Sequence, residues 1–483
     1  MSEFLDNEEW STISDVEREY FFNDKLVEGN FIVCDNEDFT LLIDKNQDVI
    51  VNLFIGSQQE VTVPDDAAVI VDDLFEDCEN LETLNLPKSI KAVGKNAFAA
   101  PNLKRINYAG TLEQWCDIEF YSAPFASGCA LYIDGKRLEK IEIENKKEIS
   151  AYAFAGLKEL SSINIGKRVK KICESAFEHC AGVGKIVLSE DAEILEDGAF
   201  EGSNPKDGFE IDANNPKYKT IGNCIVDKTE NSIIAGCDKS VVENGIEKIG
   251  DYAFTDCTFE EIELPPSVKE IGDGAFSGTH LKKIVLSEGV KKLGNNVFEY
   301  CAELTSAIIP ATVKSIGKAV FCGCQSLTSI RAERGNKVYS AEGNCVLETA
   351  SGKCIAGCKD SEIPDYATEI GAMAFYDCKE LRSLRLPRGL RKIGVCAFTH
   401  IGAEELVFPA TLSEIELSAF EGCKSLKRIT FEGETALDSG DVFYGCAVLE
   451  SVTAPKQYKK HYKKIFGGFK NGEGKKLKLE FVK

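Results

Sequence analysis

The sequence predicts a solenoid of short stacked coils, mainly β with short helical or 3-10 turns, and three observations predict it. A step of the type Ile-Gly-x-x-Ala-Phe recurs thirteen times, as in Ile249-Gly-Asp-Tyr-Ala253-Phe254 and Ile393-Gly-Val-Cys-Ala397-Phe398. The marker phenylalanines are Phe75, Phe98, Phe154, Phe177, Phe200, Phe254, Phe276, Phe298, Phe321, Phe375, Phe398, Phe420 and Phe443, and they fall 22 or 23 residues apart wherever coils adjoin. A unit that short cannot enclose its own apolar side, whereas stacked copies share one interior. Finally, 43% of the 483 residues are hydrophobic, enough for a core running along one array without division into compact domains.

One coil shows how the pattern folds. Leu281, Ile284 and Leu286 point inward while Lys283 and Val285 point outward, the alternation of a short half-buried strand. Val290 and Leu293 form a second inward pair, and Gly294 frees the backbone to turn before Val297-Phe298. Each coil therefore has three sides. Three residues after the marker stands a cysteine in eight coils: Cys78, Cys180, Cys257, Cys301, Cys324, Cys378, Cys423 and Cys446. Free cysteine behaves as a small buried hydrophobe with a weak S–H donor, so the column reads first as packing, with redox or metal use as the alternative.

These residues carry a resemblance. Leu264-Pro265-Pro-Ser-Val268-Lys-Glu-Ile271-Gly272-Asp-Gly-Ala275-Phe276 is similar to the BspA-like class of leucine-rich repeats, and the match runs from about Val61 to Pro455. The resemblance implies a right-handed leucine-rich repeat solenoid. It also implies a non-enzymatic, adhesin-like role, in a family associated with bacterial and protist surface proteins that bind host or matrix proteins. The expected organisation is an acidic N-terminal cap with a hairpin over 1–60, the solenoid over 61–455, and a lysine-rich C-terminal cap over 456–483.

Three long marker intervals of 56, 54 and 54 residues predict hairpin-bearing insertions near 109–150, 209–245 and 331–366, beside about thirteen marker coils. The last two are copies: Tyr218, Gly222-Asn223-Cys224 and Ile234-Ala235-Gly236-Cys237 recur 121 residues later as Tyr339, Gly343-Asn344-Cys345 and Ile355-Ala356-Gly357-Cys358, which points to a duplicated block of four coils. Each reads as a hairpin, in the first copy with arms near Cys224-Ile225-Val226 and Ile233-Ile234-Ala235. The first insertion differs. It holds Trp115, an aromatic loop through Phe120, Tyr121 and Phe125, and a tight turn at Asp134-Gly135. Trp115, Phe120 and Tyr121 are candidate partner-binding residues, since aromatics are enriched at interface hot spots; the alternative packs Trp115 back onto its own coil.

The ends leave the repeat. Residues 1–40 hold twelve acidic and two basic side chains. Asp44, Asn46 and Asp48 imitate the start of a calcium loop, but Val49 stands where that loop needs Gly and Ile55 where it needs Glu, so a turn is expected. From Lys456 onward there are ten lysines and two glutamates; Tyr458, Tyr462, Ile465 and Phe466 fall at helical spacing, and Leu477, Leu479 and Phe481 alternate as a final strand. A solenoid needs a polar cap at each end. The net charge is −23, and leaving out the +8 tail gives −31, which would repel polyphosphate; no nucleic acid is expected as a partner.

No membrane-spanning run and no secretory signal are read in the sequence, which suggests the cytoplasm, while the resemblance suggests the cell surface. Nineteen cysteines, many at one repeat position, suit mostly free thiols. Cys322, Cys324, Cys345, Cys354 and Cys358 form the densest cluster, but without paired Cys-x-x-Cys spacing or a nearby His, so no metal is expected. His179, His280 and His400 all lie in turns after a marker, spread along the array, so no catalytic constellation forms; no phosphate loop, dinucleotide fingerprint or His-Glu-x-x-His occurs, and no cofactor is expected.

What remains is a surface. The outward strand positions offer Glu261, Glu263, Lys283, Ser329, Arg331, Ser383 and Arg385 as a face whose acidic and basic stretches suit a protein partner with patterned charge. A monomer is expected. The alternative is an intracellular structural or scaffold repeat protein.

Overall fold

The computed structural model describes residues 11–23, 25–35, 38–44, 48–158, 160–438, 440–471 and 474–483. The chain divides into two compact units, Met1–Thr229 with Ala235–Ser240, and Glu230–Ile234 with Val241–Lys483.

The first unit opens with strands β1 (Ser11–Phe22), β2 (Lys25–Asp35), β3 (Phe39–Ile43) and β4 (Val49–Phe54), antiparallel in chain order. The predicted hairpin turn lies between β3 and β4, where the Asp48 N–H donates to the Asp44 carboxylate at 2.9 Å and Lys91 pairs with Asp48 at 2.6 Å. Asn46 lies outside the described residues. From β4 onward the pairing is parallel, and the ladder passes to Ala67–Ile70, Ala92–Val93 and Glu119–Phe120. A second side stacks Glu60–Thr62, Thr83–Leu86, Arg105–Tyr108 and Ala130–Ile133, and beyond it Lys140–Ile143, Ser162–Ile165, Lys185–Leu188 and Phe209–Ile211. The alternating burial along Lys140–Ile143 and Lys185–Leu188 follows from the pleat, which sends every second side chain inward.

The second unit repeats this plan. Lys248–Ile249, Glu270–Ile271, Lys292–Leu293 and Ser315–Ile316 form one parallel ladder; Lys283–Val285, Ser306–Ile309 and Ser329–Ala332 form the outward strand side. After the last insertion come the ladder Glu369–Ile370, Lys392–Ile393, Glu414–Ile415, Ala436–Leu437 and the outward strands Glu405–Phe408, Arg428–Phe431, Ser451–Pro455, Lys478–Val482. The C-terminal reading agrees with the structure: a helix Lys459–Phe466 buries Tyr462 and Phe466, and Tyr458, Ile465, Leu477, Leu479 and Phe481 pack against the same core.

The marker turns make the spine. In the first unit the rings of Phe154, Phe177 and Phe200 stack at 5.2 and 5.5 Å with planes within 8°. In the second, Phe254, Phe276, Phe298 and Phe321 stack at 5.4 to 5.7 Å, and Phe375, Phe398, Phe420 and Phe443 at 5.0 to 5.6 Å. Such pairs add about 0.5–1.5 kcal/mol each beyond the area they bury. The backbone is tied at the same place: the Phe254 N–H donates to the Ala275 carbonyl at 2.9 Å, and Phe398 to Ala419 at 2.8 Å.

The cysteine column is more than filler. Its thiols reach back one coil and donate to the marker carbonyl, Cys180 to Phe154 at 3.1 Å, Cys301 to Phe276 at 3.1 Å, Cys324 to Phe298 at 3.0 Å, Cys423 to Phe398 at 3.2 Å and Cys446 to Phe420 at 3.2 Å. Ser203, at the same repeat position, makes the same bond to Phe177. A small side chain with a donor suits that slot, which is the chemistry Cys and Ser share, although Leu157 and Ile401 occupy the same position without a donor. Among the described residues eighteen cysteines stand as free thiols, sixteen of them buried. Burial pushes the Cys378 thiol up to about 12 and Cys129 to about 11.

Glycine keeps pace with bulk at the turn two residues past the marker. His400 and Tyr300 adopt left-handed φ of 63° and 55° there, and their rings lie across Gly422 and Gly323 of the next coil, with φ of 63° and 68°. A Cβ on either glycine would overlap the ring.

The insertions depart from expectation in two ways. The Trp115 segment builds an irregular coil of its own: helix Leu112–Trp115, capped by Thr111 and Gln114 in a reciprocal capping box, leads to Glu119–Phe120 on one ladder and Ala130–Ile133 on another. Trp115 is fully buried, donates Nε1–H to the Ala153 carbonyl at 2.7 Å, and packs on Tyr108, Phe120 and Phe125. Phe125 thus fills the place of a marker that the six-residue step does not reveal. The expectation that Trp115 and Phe120 offer a contact surface is corrected, because both rings complete the interior. The other two insertions are three-stranded rather than two-stranded. Tyr218–Ile221 pairs with Cys224–Asp227 through a tight turn at Gly222-Asn223, and Tyr339–Glu342 pairs with Cys345–Glu348, which pairs in turn with Lys353–Ala356. Cys224 and Cys237 donate to the Gly222 and Asn223 carbonyls.

Replacing Trp115 by Ala should lower the unfolding free energy by about 3–5 kcal/mol in denaturant titration, the cost of an emptied aromatic site, whereas Tyr121→Ala, at a half-exposed position, should cost under about 1 kcal/mol. Thiol titration of the unreduced chain should return close to all nineteen cysteines after denaturation and slow reaction before it. Recovery of only a few thiols from the denatured chain would establish disulfides instead.

Candidate partner-binding face

The outward strand positions are held by the inward ones. Ile284 is 1% exposed, so its neighbours Lys283 and Val285 must face solvent, and the parallel register aligns Lys283 with Ser306 and Ser329, and Val285 with Ile308 and Arg331. Three predicted site residues, Lys283, Ser329 and Arg331, therefore share one three-stranded sheet. Glu261 and Glu263 are exposed on the preceding coil, whose Glu260 carbonyl accepts the Lys282 N–H at 3.0 Å. That stretch runs extended without a regular ladder, as does the one bearing Ser383 and Arg385. Each follows an insertion, which occupies the neighbouring outward position with its own turns.

Ser383 and Arg385 do not continue the Ser329–Arg331 surface. The insertion strand Tyr339–Glu342 comes between them in the fold, next to Ser329–Ala332, and Arg385 pairs with Asp365 at 3.0 Å. The expected basic run from Ser329 to Arg385 is thus broken in two. In the first unit Trp115 and Phe120 are internal, and Tyr121 is half-exposed with its edge on Phe22 and its hydroxyl donating to Glu119 at 3.2 Å.

Charge separates the two ends of the face. Cross-coil pairs such as Lys282–Glu260 at 2.7 Å, Lys427–Glu404 at 2.8 Å and Lys185–Glu210 at 2.9 Å neutralise much of the outward surface, though exposed pairs of this kind contribute little stability. Glu261, Glu263, Lys283 and Arg331 have no ion-pair partner among the described residues. Between them sits an apolar step that charge reading alone overlooks: Val285 is 49% exposed and Ile308 half-buried beside it. Two apolar residues at the outward position of adjoining coils are visible in the sequence; their register is not. The first unit offers a contrast. There Asn107 donates to Asn85 at 2.6 Å, Asn85 to Thr62 at 3.1 Å and Arg105 to Asn107 at 2.5 Å, while the Arg105 guanidinium lies 3.7 Å from the Tyr132 ring centre, so that polar ladder satisfies itself.

Among the described residues no group of three or more His, Cys, Asp or Glu side chains could hold a metal ion, and no helix is long and apolar enough to cross a membrane.

Solved structures to which the chain is similar include a leucine-rich repeat protein from Bacteroides ovatus, 19% identical over 93% of this chain and 99% of that one with a TM-score of 0.36. A leucine rich cell surface protein from Faecalibacterium prausnitzii is 19% identical over 93% and 95% of the two chains, TM-score 0.34, and the pneumococcal vaccine antigen PcpA 15% over 93% and 98%, TM-score 0.34. No curated protein matches the chain. A model of the BspA type leucine rich repeat region, in six copies, matches residues 47–126, 131–234, 235–345 and 352–472. With nearly its whole length built from that repeat, the chain belongs to the BspA-type leucine-rich repeat family.

Proposed function

We propose that the chain is a non-enzymatic, protein-binding repeat protein and that the outward strands of the second unit around Val285 and Ile308 form its recognition surface. The observation that carries this is the exposed apolar step, with Glu261 and Glu263 on the preceding coil, Lys283 on the strand of Val285 itself and Arg331 on the strand beyond Ile308, none of the four in an ion pair among the described residues. Apolar area supplies affinity once water is displaced, and unpaired charges of both signs fix orientation and reject wrong partners. A uniform polyanion does not match such a pattern. A protein with an apolar contact flanked by a basic and an acidic group does.

The test is capture of a partner by the wild-type chain, followed by affinity measurement with Val285→Asp and Arg331→Glu variants. Both positions are exposed, so thermal stability should stay near wild type, while each substitution should weaken binding about tenfold or more. A captured partner that binds both variants with unchanged affinity refutes the assignment of this surface.

A further inference from the structure

A cleft of about 520 Å³ opens on the turn side of the second unit, away from the strand residues just described. Its walls are the rings of Tyr300, Tyr376 and His400, its floor includes the bare backbone of Gly402 and Gly422, and Lys424 and Ser425 stand at its margin. Tyr300 is 51% exposed and lies across Gly323, whose N–H donates to the Tyr376 carbonyl at 3.3 Å, so the two tyrosines are brought together over a glycine. Tyr376 meets the His400 ring edge-on with centres 5.9 Å apart.

Beneath the rings lies Asp377, 5% exposed. His400 Nδ1 lies 3.2 Å from its carboxylate, and Lys379 Nζ 3.0 Å. The carboxylate therefore holds the imidazole with its proton on Nδ1 and leaves Nε2 free. The Tyr300 and Tyr376 hydroxyls, the Ser425 hydroxyl and the Lys424 ammonium likewise have no partner among the described residues. Burial, with nearby Cys322 and Glu299, pushes Tyr300 up to about 12, so its phenol stays a donor at neutral pH. Glu299 itself accepts from Asn296 at 2.7 Å.

The duplicated block shows that coil packing does not dictate these residues. Positions 121 residues earlier keep Gly202 for Gly323 and Asp256 for Asp377, the groups that shape the turn. They carry His179 for Tyr300, Thr255 for Tyr376 and Thr258 for Lys379, and the residue two past the marker is Gly278 where the later block has His400. Two aromatic walls and their polar partners are therefore particular to the later copy.

We infer that this cleft binds an acidic saccharide, a pyranose ring carrying a carboxylate, with the sugar face on Tyr300 and the carboxylate against Lys424. A tyrosine face is electron-rich and attracts the C–H face of a pyranose, while donors spaced around it match ring hydroxyls. The lysine adds a charge-assisted bond that a neutral sugar cannot make. A volume of this size lies within the range of small-ligand sites. A peptide side chain fits less well, since the lining offers no apolar pocket beyond the buried Ile401. This site is independent of the strand-face reading and of any protein partner.

The experiment is isothermal titration and saturation-transfer NMR on the full chain with trigalacturonate, and with maltotriose as the neutral probe. Trigalacturonate should bind saturably below about 10 mM, with maltotriose at least about tenfold weaker. Tyr300→Ala and Lys424→Gln, both at exposed positions, should each weaken trigalacturonate about tenfold, while Tyr300→Phe, which keeps the ring, should lose less. Absence of saturable binding, equal binding of both saccharides, or unchanged affinity in the Tyr300→Ala and Lys424→Gln variants would overturn the assignment. Preferential binding of a phosphotyrosine peptide over trigalacturonate would overturn it as well.

Discussion

Successive coils must sit one strand spacing apart, about 4.8 Å, and every side chain then lies almost directly over its counterpart in the next coil. A planar ring satisfies that geometry with full contact on both faces, which is why the marker position is phenylalanine and why its centroids repeat at 5.0 to 5.7 Å in the second unit. The backbone bond from most marker N–H groups to the following coil, as from Phe254 to Ala275 and from Phe398 to Ala419, fixes the same spacing. With both in place the marker carbonyl still has a lone pair facing inward, and in several coils the thiol or hydroxyl three residues past the next coil's marker supplies its donor. The aromatic column, the cysteine column and the parallel ladders are three answers to one constraint.

The same constraint makes the surface a set of columns, and a column can close on itself or stay open. In the first unit the Asn85–Asn107 ladder and the Arg105–Tyr132 contact use up their own polar groups. In the second, Val285 over Ile308 leaves apolar area exposed, and the charges around it form no ion pair among the described residues. Recognition is proposed for the second for that reason, and not because either unit differs in fold.

Much of this is legible in the sequence. Spacing of the markers and period-two alternation suffice for a solenoid, and the C-terminal helix announces itself through Tyr458, Tyr462, Ile465 and Phe466. The duplicated insertions are visible by their offset of 121, yet the Tyr218–Ile221 strand is hidden because Gly222-Asn223 reads as a repeat motif before it reads as a turn. The coil around Trp115 escapes because Phe125 lacks the flanking Ile-Gly step, so an interior ring passes for an exposed one. Sites are harder than folds. Arg331 and Arg385 look like neighbours in a list of outward residues, and the insertion between them is visible in the sequence, but only the structure shows that its strand Tyr339–Glu342 lies beside Ser329–Ala332 and interrupts the surface. The cleft at Tyr300 joins residues from four coils, and its members carry no shared motif.

The alternation of a bulky residue and a glycine at the turn changes what counts as the module of this protein. Tyr300 needs Gly323 above it, and His400 needs Gly422. Excising one coil would drop Tyr300 onto Asp377, and moving one elsewhere would strand a ring without its flat companion. At Tyr300 and Gly323 the array can grow or shrink without a clash only by steps that carry both halves of the pair. Its history is then written in multi-coil blocks, as the internal copy at 121 residues already displays.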